Sequence, residues 1–324
     1  LATGNCQIRP RCMVRAIDTD DAGLATGVRF IDPEGQEQRL KARVVIVAAS
    51  ALESARLLLL SKGKAHPGGL GNGHGMVGRN LMFSGLGTGR GDFSRDDPRV
   101  KAIDFREPFA NRSFQDLYFF KDGDSYRKAG SVTFLLPHGN PIFAAEELAT
   151  TGRELSWGKA LKDAVHRYHH DVRTLEFETV GESFPIPGRR AELDPEIKDK
   201  WGLPVIRFSM DQHPEDKISN KRLVDRGLDV LRAMGAKDVR ATRREEVTPW
   251  LQCGTCRFGK DPVTSVLDPD CRIHDAPNVF VTDGSFMPTM GGGAPTLTIE
   301  ANSFRVGDRI IALGKAHALH KRRS

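Results

Sequence analysis

The chain of 324 residues carries 48 Lys and Arg against 42 Asp and Glu, a formal net charge of +6. A chain of this length buries a large core and ordinarily holds two domains. Its basic groups fall in scattered short runs (Arg189-Arg190, Arg243-Arg244, Lys321-Arg322-Arg323), with three Tyr and three Trp for base stacking and no nucleic-acid motif, so they read as solvated surface and exclude a nucleic-acid partner.

The chain opens at Leu1 inside what reads as a strand–turn region, and the expectation is the C-terminal part of a longer protein. Residues 6–49 alternate in the manner of strands. The apolar runs are 8–17, 28–30 and 44–47, with Asp32-Pro33-Glu34-Gly35 a turn between the second and third. A nearly all-apolar helix from about residue 52 to 60 follows, and should be buried. Gly73-His74-Gly75-Met76-Val77-Gly78 satisfies the G-x-G-x-x-G pattern, but the residues before it read as loop. A dinucleotide fingerprint needs a strand immediately upstream, so this match is a decoy.

From about residue 90 to 240 the composition turns charged and irregular, with strands expected at 131–135 and 204–208. A helix after Pro214 places Val224, Leu228 and Leu231 on one face and closes at Gly235. Near the C-terminus, residues 279–282 form a short apolar, β-branched run that reads as a buried strand. Asp283-Gly284 and a glycine-rich bend (Gly291-Gly292-Gly293) come next. Then Ile299, Ser303, Val306, Ile310 and Leu313 fall at helical spacing, with Gly314 where a C-cap glycine belongs. The N-terminus of such a helix offers unpaired N–H groups and partial positive charge to an electron-rich group.

No run of 18 or more apolar residues, and no signal- or transit-peptide pattern, is present. Five cysteines, an odd number, argue against a disulfide framework. The expected compartment is the cytoplasm, unless preceding residues carry an export signal. Cys253-x-x-Cys256 followed by Cys271-x-x-His274 has Cys₃His spacing, which makes a zinc-stabilised binding module the alternative function.

The stretch holding Asp283, Gly284, Ser285 and Pro288, then Pro295, Leu297, Thr298, Ala301, Arg305 and Asp308, resembles the C-terminal flavin signature of the glucose–methanol–choline (GMC) oxidoreductases. These are FAD enzymes acting on alcohols. Gly254-Thr255-Cys256-Arg257-Phe258-Gly259, Leu193-Asp194-Pro195 with Trp201-Gly202-Leu203-Pro204, and Gly78-Arg79-Asn80-Leu81-Met82 match the family too. The resemblance implies an α/β fold in which a Rossmann-like FAD-binding portion is interrupted by an α+β substrate domain with an antiparallel sheet. The expected boundaries are 1–90 and 245–324 for the flavin portion and 91–244 for the substrate domain.

By the same resemblance the main chain of Val14 faces the adenine, and Ala48-Ala49-Ser50-Ala51 pass close to the cofactor. The family commonly has Gly at the position of Ser50. Asp283 and Gly284 meet the ribityl–pyrophosphate region, while backbone N–H groups near Thr296, beside Pro295, approach the flavin pyrimidine. A hydride leaves the alcohol carbon for flavin N5, and a histidine with a second His or Asn handles the hydroxyl proton. Those two positions are Leu251 and Ala294 here, aliphatic side chains that neither accept a proton nor bond an alkoxide. Under this reading Cys253 and Cys256 are a small buried thiol pair, and no metal is expected. The family's own fingerprint lies near the N-terminus of the full protein and is not in this chain. The expected partners are therefore a small-molecule alcohol and the missing N-terminal FAD-binding part, with an enzyme of impaired activity.

Overall fold

The computed structural model describes residues 2–101, 110–136, 140–150, 154–243 and 250–320. The boundary expected at 244–245, Arg244 and the run 321–323 lie outside them. In chain order the elements are β1 (Met13–Thr19), β2 (Ala25–Ile31), β3 (Glu37–Lys41), β4 (Val45–Val47), α1 (Ala51–Leu60), β5 (Thr88–Ser94), α2 (Pro98–Lys101) and β6 (Ala110–Phe114). Then come β7 (Phe119–Asp122), β8 (Ser125–Lys128), β9 (Gly130–Leu135), α3 (Pro141–Thr150), α4 (Gly158–His170) and β10 (Val172–Gly181). The chain finishes with β11 (Ala191–Lys198), β12 (Pro204–Phe208), α5 (Pro214–Ala233), β13 (Lys237–Arg243), β14 (Arg272–Ile273), β15 (Ala276–Val281) and α6 (Thr296–Lys315).

One hydrophobic core draws on both ends of the chain. Ile17, Val45, Val47, Leu58, Leu70 and Met82 pack with Leu267, Phe280, Val281, Met290, Val306 and Leu313. Its sheet has the order β14-β15-β4. β15 and β4 pair in parallel, Val279 beside Val45 and Val281 beside Val47, as the two apolar runs predict. The meander β1-β2-β3 is fastened to this sheet by the buried side chain of Asn278. Its amide donates to the Ala25 carbonyl (2.8 Å) and the Arg43 carbonyl (3.0 Å), and its oxygen accepts from the Ala25 N–H (3.0 Å). The meander's turns are set by Asp20 and Asp32, whose side chains each accept two backbone N–H bonds within the turn.

A second core lies between them in sequence. The antiparallel sheet β13-β5-β10-β9-β6 is covered by α5, which buries Leu223, Val224, Leu228 and Leu231 against Phe93, Val132, Leu175 and Phe177. The Phe177 ring sits between Gly89 of β5 and Gly227 of α5, where a Cβ on either glycine would come within 2.6 Å of it. α5 starts where the sequence signals a start. His213 Nδ1 accepts the Glu215 N–H (3.1 Å), Pro214 fills the first position, and Glu215 and Asp216 complement the helix dipole.

Several elements differ from the sequence reading. The first strand begins at Met13, because Pro10 and a left-handed Arg11 (φ 58°) precede it. β3 was not expected: all five of its residues are exposed, so no apolar alternation marks it. α3 and α4 lie in the stretch read as irregular; α4 buries no residue fully, yet it is amphipathic, a periodic signal that the sequence reading passed over. α1 is buried on one face only, through Ala51, Ala55 and Leu58, and its Arg56 is bound to Asp199 (2.6 Å) and the Pro204 carbonyl (2.8 Å) of the β11–β12 hairpin. α6 runs through Gly314 to Lys315, and it is His317 (φ 51°) that turns the chain. Gly73 to Gly78 form a turn-rich loop after α1, with no strand ahead of them.

Candidate functional site

The parallel pair β4–β15 ends with both chains turning at the same level, and Thr282 N–H still donates to the Val47 carbonyl (3.0 Å). Next on one side come Ala48, Ala49 and Ser50, small and exposed; next on the other comes Asp283, nearly buried. The C-terminal ends of parallel strands are the usual place for a ligand in open α/β sheets. Asp283 gathers four donors. Its Oδ2 accepts from Ala49 N–H (3.0 Å) and, in a short bond, from the Ser54 hydroxyl; its Oδ1 accepts from Ser285 N–H (2.9 Å) and the Ser285 hydroxyl (2.6 Å). A carboxylate with this many donors is held in place as a structural knot. Ser50, between Ala49 and α1, takes φ 75° and ψ 162°, a conformation that is essentially restricted to glycine.

Residues 253–258 run alongside this turn. Gly254, Cys256 and Phe258 donate their N–H groups to the carbonyls of Gly284 (3.2 Å), Ser285 (2.9 Å) and Phe286 (2.9 Å). Cys253 pairs with Met82 in both directions, at 3.0 Å each. The Thr255 hydroxyl donates to the Ala51 carbonyl (2.5 Å), at the start of α1. Residues 48–51, expected beside the cofactor, thus meet the matched block that begins at Gly254 and the matched Asp283-Gly284-Ser285 at one place. α6 begins after the buried Pro295, and no side chain caps its N-terminus. Thr296 at that terminus is exposed, as is Ala294 just before it. Leu251 is partly buried against the first core in a left-handed conformation (φ 53°). Val14 stands apart from these, half-exposed on β1 of the meander.

The Cys₃His spacing does not produce a common centre. Cys253 Sγ lies 3.5 Å from Met287 Sδ, while Cys271 Sγ accepts from Asn302 (3.5 Å) and Arg305 (3.6 Å) of α6. His274 Nε2 is 2.9 Å from the Ser265 hydroxyl. Among the described residues no three His, Cys, Asp or Glu side chains are grouped as a metal ion requires. Burial pushes the thiols of Cys253 and Cys256 up to about 12, with the charge of Asp283 adding to the effect. Burial likewise lowers the His274 imidazole.

Sequence reasoning missed the charged groups contributed by the second unit. Arg189 is wholly buried, donating to the Asp211 carbonyl (2.5 Å) and the Ser183 hydroxyl (2.9 Å), with Asp216 3.7 Å away. Burial lowers the Arg189 guanidinium and raises the Asp216 carboxyl. Asp216 accepts in turn from Phe184 N–H (3.0 Å) and the Ser183 hydroxyl (3.0 Å). Glu182 is buried as well and paired with Lys128 (2.5 Å). The sequence reading put Arg189, in the Arg189-Arg190 run, on the solvated surface, and nothing singled out Glu182 or Asp216; the fold instead buries all three and pairs them.

Both halves of the GMC oxidoreductase profile match the chain, the N-terminal one over residues 1–84 and the C-terminal one over 187–303. The chain belongs to the GMC oxidoreductase family, whose members are FAD-dependent oxidoreductases. It is 32% identical over 314 residues to a 2-methyl-1,2-propanediol dehydrogenase of Mycolicibacterium austroafricanum, covering 94% of this chain and 54% of that protein. A 6'''-hydroxyparomomycin C oxidase of Streptomyces lividus is also 32% identical, over 95% of this chain and 52% of its own length. The chain thus spans about half the length of these curated relatives. Among solved structures, a pyridoxine 4-oxidase from Mesorbium loti superposes with a TM-score of 0.55 at 18% identity, over 91% of this chain and 56% of that one. A formate oxidase variant of Aspergillus oryzae RIB40 gives 0.57 at 17% identity, over 94% and 60%. These likenesses establish the fold.

Proposed function

We propose that this chain is the C-terminal part of an FAD-dependent enzyme that oxidises a CH–OH group, with weakened proton handling at its reacting centre. The observation that carries the reading is the meeting of 48–51, 253–258 and 283–286 at the ends of β4 and β15, beside the uncapped start of α6. FAD, when bound, supplies the acceptor for the hydride. Ala48 and Ala49 would let the backbone approach it, the chain at Asp283 and Gly284 would lie along its ribityl–pyrophosphate side, and the main chain of Val14 would meet its adenine. Backbone N–H groups near Thr296, in the first turn after Pro295, would stabilise negative charge on the pyrimidine. The residues present fit such a group: small exposed residues after the strands, and a helix N-terminus with no side-chain cap.

Leu251 and Ala294 occupy the positions where the family places its proton-handling pair. General-base help is worth roughly 10²–10⁴ in rate, so its loss leaves slow alcohol oxidation. The named relatives are a 2-methyl-1,2-propanediol dehydrogenase and a 6'''-hydroxyparomomycin C oxidase, and the diol of the first points to a substrate carrying more than one hydroxyl.

The remaining FAD contacts come from an N-terminal part that pairs with this chain. Support for that partner lies in two exposed apolar surfaces. Ile46 is exposed on β4, an edge strand, and Leu297, Phe304 and Ile311 line one face of α6 at seven-residue intervals, all exposed. Uncovered apolar faces and open edges mark docking surfaces.

The test is anaerobic flavin bleaching of the full-length protein by primary, secondary and vicinal alcohols. Slow bleaching is expected, and Leu251→His with Ala294→Asn should raise it by at most on the order of 10²–10⁴, because a restored base does not also position substrate. Rapid bleaching by the unmodified protein would show another base at work and defeat the weakened-site reading. The isolated chain should lose FAD on dialysis; a chain that stayed yellow would contradict the need for a partner.

A further inference from the structure

The glycine bend ahead of α6 is held by side chains from the other structural unit. Gly291 and Gly292 both lie in the left-handed region (φ 93° and 66°), and residues of this kind have many alternatives to the conformation seen. Both polar groups of Gly291 are nonetheless engaged. Its carbonyl accepts from the Tyr118 hydroxyl (2.5 Å), and its N–H donates to Glu182 Oε1 (2.9 Å). Glu182 also accepts the Ser183 N–H (3.1 Å), and its second oxygen meets Lys128 Nζ at 2.5 Å. The Lys128 ammonium stands 5.0 Å from the centre of the Tyr118 ring.

The backbone is shaped to admit this contact. Gly130, at the start of β9, has no Cβ to strike the Val180 carbonyl of the paired strand, 2.1 Å from one, or the Gly292 carbonyl, 2.9 Å from one. Ala129 joins the clamp's arms: its N–H donates to the Tyr118 carbonyl (3.2 Å), and its carbonyl accepts from Glu182 N–H (2.6 Å). Glu182 is 1% exposed, and a buried carboxylate is retained in ionised form only when paired. Lys128 provides the counter-charge. Burial is the largest influence and works to lower its ammonium, but the bond to Glu182, the charge of Glu182 and the Tyr118 hydroxyl together outweigh it, and the net shift is upward.

We propose that Tyr118, Lys128 and Glu182 are positioning residues, a clamp from the antiparallel-sheet unit that fixes the glycine bend and through it Ala294, Pro295 and the N-terminus of α6. The proposal rests on the flavin-enzyme reading for its purpose, and on Gly291's two bonds for its existence. A bend of three glycines between two packed segments would otherwise sample many conformations, and the helix terminus that faces the ligand would move with it. The arrangement also makes the site depend on both units being docked, since the clamp comes from one and the bend from the other.

The experiment follows amide hydrogen exchange of peptides spanning 288–298, with a peptide from α5 as the reference for global folding. In Tyr118→Phe and in Lys128→Met, exchange at 288–298 should rise roughly tenfold, about the protection one hydrogen bond provides, with α5 unchanged. Lys128→Arg should restore it, and Glu182→Gln should resemble Lys128→Met. In the full-length flavoprotein the same substitutions should lower kcat more than they change KM. Unchanged exchange in Tyr118→Phe would overturn the clamp, as would a uniform rise in both peptides, which marks a merely structural role. If Lys128→Met does not fold, Tyr118→Phe decides, since it removes a single oxygen. Exchange is read without turnover, so a protein that proved inactive on alcohols would still report on the clamp.

Discussion

Asp283 Oδ2 accepts a hydrogen bond from the backbone N–H of Ala49 at 3.0 Å, joining residues 234 apart in the chain. The bond ties the turn after β15 to the turn after β4, so the two strand ends cannot separate without exposing it. Ser54 and Ser285 complete the set of donors around the same carboxylate. Asp283→Asn replaces one acceptor oxygen by an NH₂ facing donors. It should cost about 2–3 kcal/mol, the penalty for buried donors left unsatisfied, measured by urea denaturation.

Ser50 is the second expected point of response. Its φ of 75° and ψ of 162° suit glycine, and its side chain makes no capping bond to α1. Ser50→Gly should stabilise the chain by roughly 0.5–2 kcal/mol, the relieved strain less the greater freedom of glycine in the unfolded state. Ser50→Val should destabilise it. A Tm that falls in the glycine variant would show that Ser50 carries no strain.

The thiols should divide sharply by reactivity. Cys6 is exposed and Cys12 partly so, whereas Cys253, Cys256 and Cys271 are buried. With Cys253 and Cys256 pushed up to about 12, roughly one molecule in 10⁵ carries the thiolate at pH 7. Titration with a disulfide reagent should modify two thiols in the native chain and three more only after unfolding.

Glu176 on β10 gives a pH-dependent outcome. Burial raises its carboxyl above the ordinary range, with Glu147 and Asp92 adding to the rise and Arg90 opposing it. The folded state therefore binds this proton more tightly than the unfolded chain. Ionising it costs stability at neutral and alkaline pH, and the cost fades as pH falls through the folded value towards the unfolded one. Glu176→Gln should raise the Tm at pH 8, and the gain should vanish near ~pH 4, where the unfolded carboxyl is itself largely protonated.

Much of the scaffold was legible because it rests on local signals. The apolar runs gave β4 and β15, Pro204 to Phe208 emerged as a strand with the expected limits, and α5 announced itself through Pro214 and its Val224, Leu228 and Leu231 face. β3 escaped notice because a fully exposed strand has no alternation to detect. At the site, Asp283, Gly284, Ala49 and Thr255 could be named because the motifs that hold them are continuous in sequence. Tyr118, Lys128, Glu182, Arg189 and Asp216 could not. Their meaning lies in pairings made across strands and loops, and nothing beside them in the chain distinguishes them from solvated charges.

The pairing of β4 with β15 also dictates an order of events during synthesis. Val45 must wait for Val279, and at 5–20 residues per second that interval lasts roughly 10–50 s. The sheet β13-β5-β10-β9-β6 and its covering helix α5 have all their strands by residue 243, so they can close while the ribosome is still at work. Residues 1–90 emerge before that sheet yet settle after it, with Val45, Val47 and Leu58 waiting for the partners that bury them. A nascent chain stalled before residue 276 would hold the five-stranded sheet finished and the β4 region still unpaired.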